Sequence, residues 1–269
     1  MENRHPKLRV DDFRQAKTEK RRITMVTAYD WPTGALLDEA GVDIVLVGDS
    51  LGMVALGFAN TLPVTMDMMV HHCAAVARGV KSSFLVGDMP FMTYKVDIPS
   101  ALRNAGRFLQ EGNMEAVKVE GGVEVAPMIQ KIVEAGIPVM GHIGLTPQSL
   151  HKLSGFKVQG RVPDEIKKLM EDAAALQDAG CFSLVVEAVP AEVGERLTRS
   201  VRIPTIGIGA GPQCDGQVLV FNDLVGLTTR RLPKFVKEYA KLRPQALEAL
   251  KNFVGEVREG KFPGPDHCY

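Results

Sequence analysis

Six ionisable residues of this 269-residue chain stand where short apolar runs end: Asp49 in "VDIVLVGDS", Asp88 in "SFLVGDMP", Lys118 and Glu120 in "EAVKVEGG", His142 in "IPVMGHIG" and Glu187 in "FSLVVEAVP". A hydroxyl, Ser50, follows Asp49 directly. Most have an ordinary explanation when taken singly. An Asp after a strand is often a turn former or helix N-cap, a glycine-flanked His is often a satisfied half-buried group, and Glu187 ahead of "AVP" suits a helix cap. Lys118 resists such a reading, because an ammonium within an apolar strand is costly unless an acid compensates it. Strand residues i and i+2 share a face, so Lys118 and Glu120 point the same way. Four acids, one lysine and one histidine on a single rim read as a site.

Hard oxygen donors without a thiolate pattern suit Mg²⁺ better than zinc or copper. Because Mg²⁺ takes one or two protein carboxylates and keeps water or substrate elsewhere, Asp49 and Asp88 read as its ligands, with Glu120 acting directly or through water. A 2-oxo acid chelating such an ion has its carbonyl polarised and its neighbouring carbon acidified. Lys118 would then pair with the substrate carboxylate, and Glu187 would take the α-proton. His142 would donate to the developing oxyanion or assist a later proton step. Residue types and spacing alone support Mg²⁺-assisted enolate chemistry.

The elements that must position these groups recur along the chain. Eight β-rich runs ("ITMVTAYD", the five above, "IPTIGIGAG" and "GQVLVFND") alternate with segments of helical pattern at residues 32–40, 66–80, 98–111, 124–135 and 163–179. Gly41, Gly136 and Gly180 close three of these segments in the manner of a left-handed helix cap. Near-continuous apolar strands need cover on both faces, so the expected fold is α/β, a (β/α)8 TIM barrel, with an open doubly wound sheet as the alternative. Residues 51–65 and 144–162 break the rhythm after the second and fifth strands, on the side where barrels carry their sites. Residues 232–251 read as a helix and "GKFPGPDHCY" as an irregular tail. The expected organisation is one barrel domain over 1–269, with a short N-terminal extension and C-terminal helices.

Composition narrows the partners. Lys plus Arg and Asp plus Glu both total 32, which gives a formal charge of +0 and argues against a nucleic-acid partner. The first twelve residues lack an apolar targeting core, and no run approaches the roughly 18 apolar residues needed to cross a bilayer. A cytoplasmic protein without a membrane partner is expected. Cys73, Cys181, Cys214 and Cys268 are too scattered for a disulfide framework or a zinc site. The neighbours His71 and His72 point about 100° apart on a helix and cannot easily share a metal. "IGIGAG" at residues 206–211 lacks dinucleotide-fingerprint spacing and reads as tight packing or close backbone approach, with a phosphate cradle after the seventh strand as the alternative.

In "TAYD", "VGDSLGM", "TLPVT", "GDMPF", "VKVEGG", "GHIGLTPQS", "GFKVQGR", "IGIGAG", "CDGQVLV" and "LPKFVK", taken in this order, the chain resembles the ketopantoate hydroxymethyltransferase family. That resemblance implies a barrel of the phosphoenolpyruvate/pyruvate type and Mg²⁺ dependence. It further implies hydroxymethyl transfer from 5,10-methylenetetrahydrofolate to 3-methyl-2-oxobutanoate, giving 2-dehydropantoate in pantothenate biosynthesis through an Mg-stabilised enolate. On its motifs Asp49, Asp88 and Glu120 take the metal role, and Asp49, Ser50, Asp88 and Lys118 the substrate contacts. Glu187 becomes the proton acceptor, with His142 in the pocket. A homo-oligomer, often a decamer, is implied as well. The family commonly has a His-Asp pair where this chain has Asn222 and Asp223, and a more polar loop where it has Leu56 and Phe58.

Three other functions compete. An Mg²⁺-dependent carbon–carbon lyase of the same barrel type is the nearest, but those enzymes share a K-[KR]-C-G-H loop that is missing here. A metal-free aldolase using Lys118 as a Schiff base would be trapped by borohydride. A non-catalytic binding barrel would tolerate loss of Glu187.

Overall fold

The computed structural model describes residues 6–269. Two compact units make up the chain, one ending at Val220 and one running from Phe221 to Tyr269. The first opens with α1 (Val10–Thr18) and β1 (Ile23–Thr27), followed by α2 (Trp31–Glu39), β2 (Ile44–Val47), α3 (Leu51–Val54) and α4 (Met66–Ala77). It continues through β3 (Phe84–Asp88), α5 (Ile98–Gln110), β4 (Ala116–Glu120), α6 (Ala126–Glu134), β5 (Val139–Gly144) and α7 (Pro163–Asp178). The last elements are β6 (Ser183–Glu187), α8 (Ala191–Ser200), β7 (Thr205–Ile208) and β8 (Gly216–Leu219). All eight strands pair in parallel, and β8 returns to β1, with Met25 beside Val218, to close the barrel. The expected (β/α)8 fold is thus observed.

Local chemistry explains where the elements stop. Asp30, Thr65 and Asp97 accept N-cap bonds from Thr33, Met68 and Ser100, so α2, α4 and α5 begin where a side-chain oxygen replaces the missing carbonyl. At the end of α2, Gly41 adopts φ 74° while Val42 N–H reaches back to Leu37 O, a turn that a Cβ would strain. Gly136 and Gly180 repeat this arrangement after α6 and α7. The "IGIGAG" run is packed rather than open, since a Cβ on Gly211 would lie 2.6 Å from that of Ala191.

Inside the barrel Met25, Ile44, Leu46, Phe84, Val86, Ala116, Met140, Ile206 and Val218 form one buried cluster with Phe13 and Ala16 of α1. The Phe13 ring meets Phe84 edge-on at 5.3 Å and Phe182 at 6.1 Å, residues at or beside the first positions of β3 and β6. α1 therefore plugs the N-terminal end of the barrel. Lys17 fixes the plug by bonding Asp215 Oδ2 at 2.8 Å and Thr198 O at 2.9 Å. Alternating charges at the start of the sequence concealed this helix, whose apolar contribution is only two buried side chains.

The second unit corrects one expectation. Residues 232–251 are not one helix: α9 (Phe221–Leu224) is followed by turns, and α10 runs over Leu242–Arg258. Pro244 gives the reason. A helix begun at 232 would place it in the interior, where it removes a hydrogen bond and clashes with the preceding turn, whereas in the first turn of α10 no intrahelical N–H is needed. The preceding segment is pinned instead by Tyr239 N–H to Leu224 O and Leu242 N–H to Val225 O.

Phe13→Ala is expected to cost about 3–5 kcal/mol of stability. Arg14→Ala, on the exposed face of α1, is expected to stay within about 0.5 kcal/mol. Denaturant midpoints at constant slope provide the check, and equal midpoints for the two variants would show that α1 is no plug.

Candidate active site

Barrel register assembles the rim. Across the β3–β4 pair Asp88 stands beside Lys118, across β4–β5 Glu120 stands beside His142, and across β5–β6 Gly144 stands beside Glu187. Asp49 comes from the turn after β2 and is held to the third strand by its own N–H, which donates to Asp88 Oδ2 at 3.1 Å. All six ionisable residues singled out from the sequence are brought to the C-terminal mouth. Ser50 joins them, its Oγ 2.8 Å from the Tyr29 hydroxyl.

Lys118 lies at the centre. Its Nζ is 2.8 Å from Asp88 Oδ1, 3.2 Å from His142 Nδ1 and 4.0 Å from Glu120 Oε1. The His142 ring bridges two acids, with Nδ1 3.4 Å from Glu120 Oε1 and Nε2 3.2 Å from Glu187 Oε2. Asp49, Asp88, Lys118, Glu120 and His142 are each no more than 4 % exposed, while the Glu187 side chain keeps 16 %. Glu187 is accordingly the rim acid that a molecule in the mouth meets most easily.

Burial sets the electrostatics. It raises the Asp49 carboxyl well above the ordinary carboxylate range, and the charges of Asp88 and Glu120 push it further. Asp88 is raised too, by burial and by Glu120, against the opposing pull of Lys118. For Glu120 burial acts upward but is outweighed by His142, Lys118 and the Gln148 N–H, so its pKa falls. Lys118 is held above the usual lysine range because Asp88, Glu120 and Asp49 together overcome its desolvation. Burial and Lys118 lower the His142 pKa, yet the neighbouring carboxylates of Glu120 and Glu187 prevail and raise it to about 9.

With every acid ionised, four carboxylates would outnumber the cations Lys118 and His142 inside a low-dielectric mouth, and this crowding of negative charge is what helps to raise Asp49 and Asp88. Asp88 Oδ1 and Glu120 Oε1 lie near cations but receive no well-directed hydrogen bond. Both features suit a divalent cation. Hard carboxylate oxygens with no thiolate beside them suit Mg²⁺, which takes one or two direct protein carboxylates, better than zinc; among the described residues no three His, Cys, Asp or Glu side chains are grouped as a ready-made cage. Asp49 and Asp88 adjoin one another and fit as those two, whereas Glu120 is turned toward His142, Lys118 and Gln148 and fits a water-mediated part. Cys73, Cys181 and Cys214 are buried thiols outside this set.

Gln148 and Tyr94 were not singled out from the sequence, yet both are buried in the rim. Gln148 lies on a 3-10 turn, Pro147–Ser149, in the long loop after β5. Its backbone N–H donates to Glu120 Oε2 at 3.0 Å, and its Nε2 donates to Asp49 Oδ2 at 3.0 Å and to Met89 O at 2.9 Å. Tyr94 Oη donates toward Gln148 Oε1 at 2.7 Å and Glu120 O at 3.0 Å. The available signal was the unusual length of that loop, since polar residues in loops beyond a strand's C-terminal end are placed to reach the mouth.

Comparison with known proteins adds an independent line. Residues 7–265 match the family model described as ketopantoate hydroxymethyltransferase. The chain is 56% identical to the 3-methyl-2-oxobutanoate hydroxymethyltransferase of Moorella thermoacetica, over 95% of this chain and 95% of that protein. It is 51% identical to the protein of the same name from Pelobacter propionicus over 100% of both. Among solved structures, a phosphonopyruvate hydrolase in complex with oxalate and Mg++ aligns with a TM-score of 0.62 at 13% identity, covering 96% of this chain and 92% of that one. A 2,3-dimethylmalate lyase of the PEP mutase/isocitrate lyase superfamily aligns with a TM-score of 0.60 at 13% identity, over 95% and 86%. Those two likenesses concern the fold, whereas the family match and the high identities concern the whole sequence. The chain belongs to the ketopantoate hydroxymethyltransferase family, whose members are transferases.

Proposed function

We propose that this protein transfers a hydroxymethyl group from 5,10-methylenetetrahydrofolate to 3-methyl-2-oxobutanoate, giving 2-dehydropantoate. In that reaction C3 of the keto acid loses a proton and bonds to the one-carbon unit, water supplies the hydroxyl, and tetrahydrofolate leaves as both bonds from its nitrogens to the methylene carbon break, the C3 proton and the second water hydrogen ending on those nitrogens. The observation that carries this reading is the buried rim of excess negative charge around Lys118, with one accessible carboxylate, Glu187, on its open side. Family membership supports the transferred group and the acceptor, and the folate donor follows from the resemblance of motifs.

Asp49 and Asp88 would hold Mg²⁺, with Glu120 in support through water. When bound, the ion would polarise the keto group of a chelating 2-oxo acid and so acidify C3. The remaining work belongs to the chain's own groups. Lys118, kept charged by its acid neighbours, faces the substrate carboxylate, and Ser50 offers a hydroxyl at the same edge. Glu187 takes the C3 proton. His142, cationic below about pH 9, orients the Glu187 carboxylate through Nε2 and adds positive charge where the enolate oxygen develops. Enclosure of the rim keeps competing water from these dipoles.

A cavity of about 270 Å³ adjoins the residues that follow Glu120 and His142, lined by Gly121, Gly144, Thr146, Ser149, Lys152 and Lys168 among others. None of Asp49, Asp88, Lys118, Glu120, His142 and Glu187 lines it. The rival lyase reading receives no comparable support from the sequence relatives, which share the transferase name. Assembly into a homo-oligomer, as a decamer, is part of the proposal. Leu247, Leu250, Phe253, Val254 and Val257 leave α10 with an exposed apolar face, which supports association of copies. Among the described residues no helix is long and apolar enough to cross a membrane, and a cytoplasmic setting is proposed with the pathway.

Two outcomes are expected. Glu187→Gln should slow deuterium exchange at C3 of 3-methyl-2-oxobutanoate, measured by NMR without folate, by about 10² to 10⁴-fold, while binding of the keto acid is largely kept. Unchanged exchange would remove Glu187 as the base. Mg²⁺ should raise the melting temperature of the wild-type protein. Asp49→Asn should melt higher than wild type in chelator, because it removes a buried charge disfavoured by its neighbours, and should gain little from Mg²⁺. A variant that melts lower in chelator and still responds fully to Mg²⁺ would contradict the metal assignment.

A further inference from the structure

The rim acids do not hold themselves in place. Asp49 follows β2, Asp88 ends β3 and Glu120 ends β4, so three separate strand ends must keep a fixed spacing although like charges drive them apart. Barrel register fixes backbones, but a carboxylate after the last strand residue can still rotate. One residue from a fourth strand's loop touches two of these acids at once, Asp49 with its side-chain amide and Glu120 with its backbone N–H.

We propose that Gln148, locked by Tyr94, is a positioning residue that sets the orientation of Asp49 and Glu120 for the cation; the inference rests on the metal reading above. The Gln148 amide can lie only one way round. Met89 O is an obligate acceptor 2.9 Å from one end of the amide, so that end must be the NH₂ group. The other end, Oε1, then meets the Tyr94 hydroxyl at 2.7 Å. The same hydroxyl also lies 3.0 Å from Glu120 O, a second acceptor, so it faces acceptors on both sides and serves as the donor.

With the amide fixed, its second N–H is aimed at Asp49 Oδ2 at 3.0 Å. The backbone N–H of the same residue holds Glu120 Oε2 at 3.0 Å. Each acid therefore has one oxygen committed to Gln148. Glu120 presents its remaining oxygen, Oε1, toward Lys118 and His142. A residue filling space alone would not need this chain of directed donors, and Tyr94, 54 residues away in sequence from Gln148, would not need a hydroxyl.

Mn²⁺ binding followed by electron paramagnetic resonance tests the proposal, together with circular dichroism and melting curves on Gln148→Leu and Tyr94→Phe. Mn²⁺ affinity should fall about 10 to 100-fold in Gln148→Leu, the scale typical of lost outer partners, and in the same direction by a smaller factor in Tyr94→Phe. Should Gln148→Leu fail to fold, Tyr94→Phe, which keeps the ring, carries the test. Wild-type affinity in folded variants, even with a lower melting temperature, would reduce the pair to a structural role and overturn the inference. Absence of Mn²⁺ binding by the wild type would bring down the metal reading and this inference with it, an outcome distinct from the previous one.

Discussion

Crowding of like charge at one end of a closed barrel is the constraint on which the site depends. Asp49, Asp88 and Glu120 are buried around a single ammonium, and Lys118 cannot neutralise all of them at once. In isolation such a cluster is costly, because low-dielectric surroundings strengthen repulsion and deprive each carboxylate of water. The raised pKa values of Asp49 and Asp88 beside the lowered one of Glu120 display that imbalance. A molecule that brings positive charge to the mouth relieves it, which is why the arrangement reads as a binding site rather than as a source of stability.

The fold tolerates this tension because its stabilising contacts lie elsewhere. Apolar layers from β1 to β8 and the α1 plug fill the opposite end and the middle of the barrel, so the mouth can carry unfavourable charge without loss of the core. Parallel register then turns sequence spacing into geometry. Asp88 beside Lys118 and Glu120 beside His142 follow from strand pairing alone, and the Lys118–Glu120 separation of two residues places both inside. His142 links the buried acids to Glu187, so the charge state of the interior is felt at the one carboxylate that reaches the open side.

Much of this was legible in the sequence because barrel strands write their periodicity plainly. The apolar runs and their terminal Gly, Asp, Lys, His and Glu residues gave the strand ends, and Gly41, Gly136 and Gly180 marked the helix ends that the structure shows. Less legible were features that arise from long-range packing. α1 contributes few apolar residues, and its role depends on meeting Phe84 and Phe182 from distant strands. α10 was displaced because the apolar pattern before it outweighed Pro244, a signal that was present in the chain. Tyr94 carries no distinguishing pattern and Gln148 only the length of its loop, since their importance lies in contacts between residues 26 and 99 positions apart along the chain. Loop residues that reach across a mouth become visible only when the strands are in place.

Asp49 and Asp88, joined through the Asp49 N–H and the Asp88 carboxylate, are proposed to grip a divalent cation to which a keto acid binds. A crystal structure grown with Mg²⁺ and 3-methyl-2-oxobutanoate tests it most directly. One ion contacting both aspartates and the substrate's carboxylate and keto oxygens is expected, with Glu187 facing C3. An ion bound elsewhere, or the two aspartates turned apart around a substrate held without metal, would contradict it.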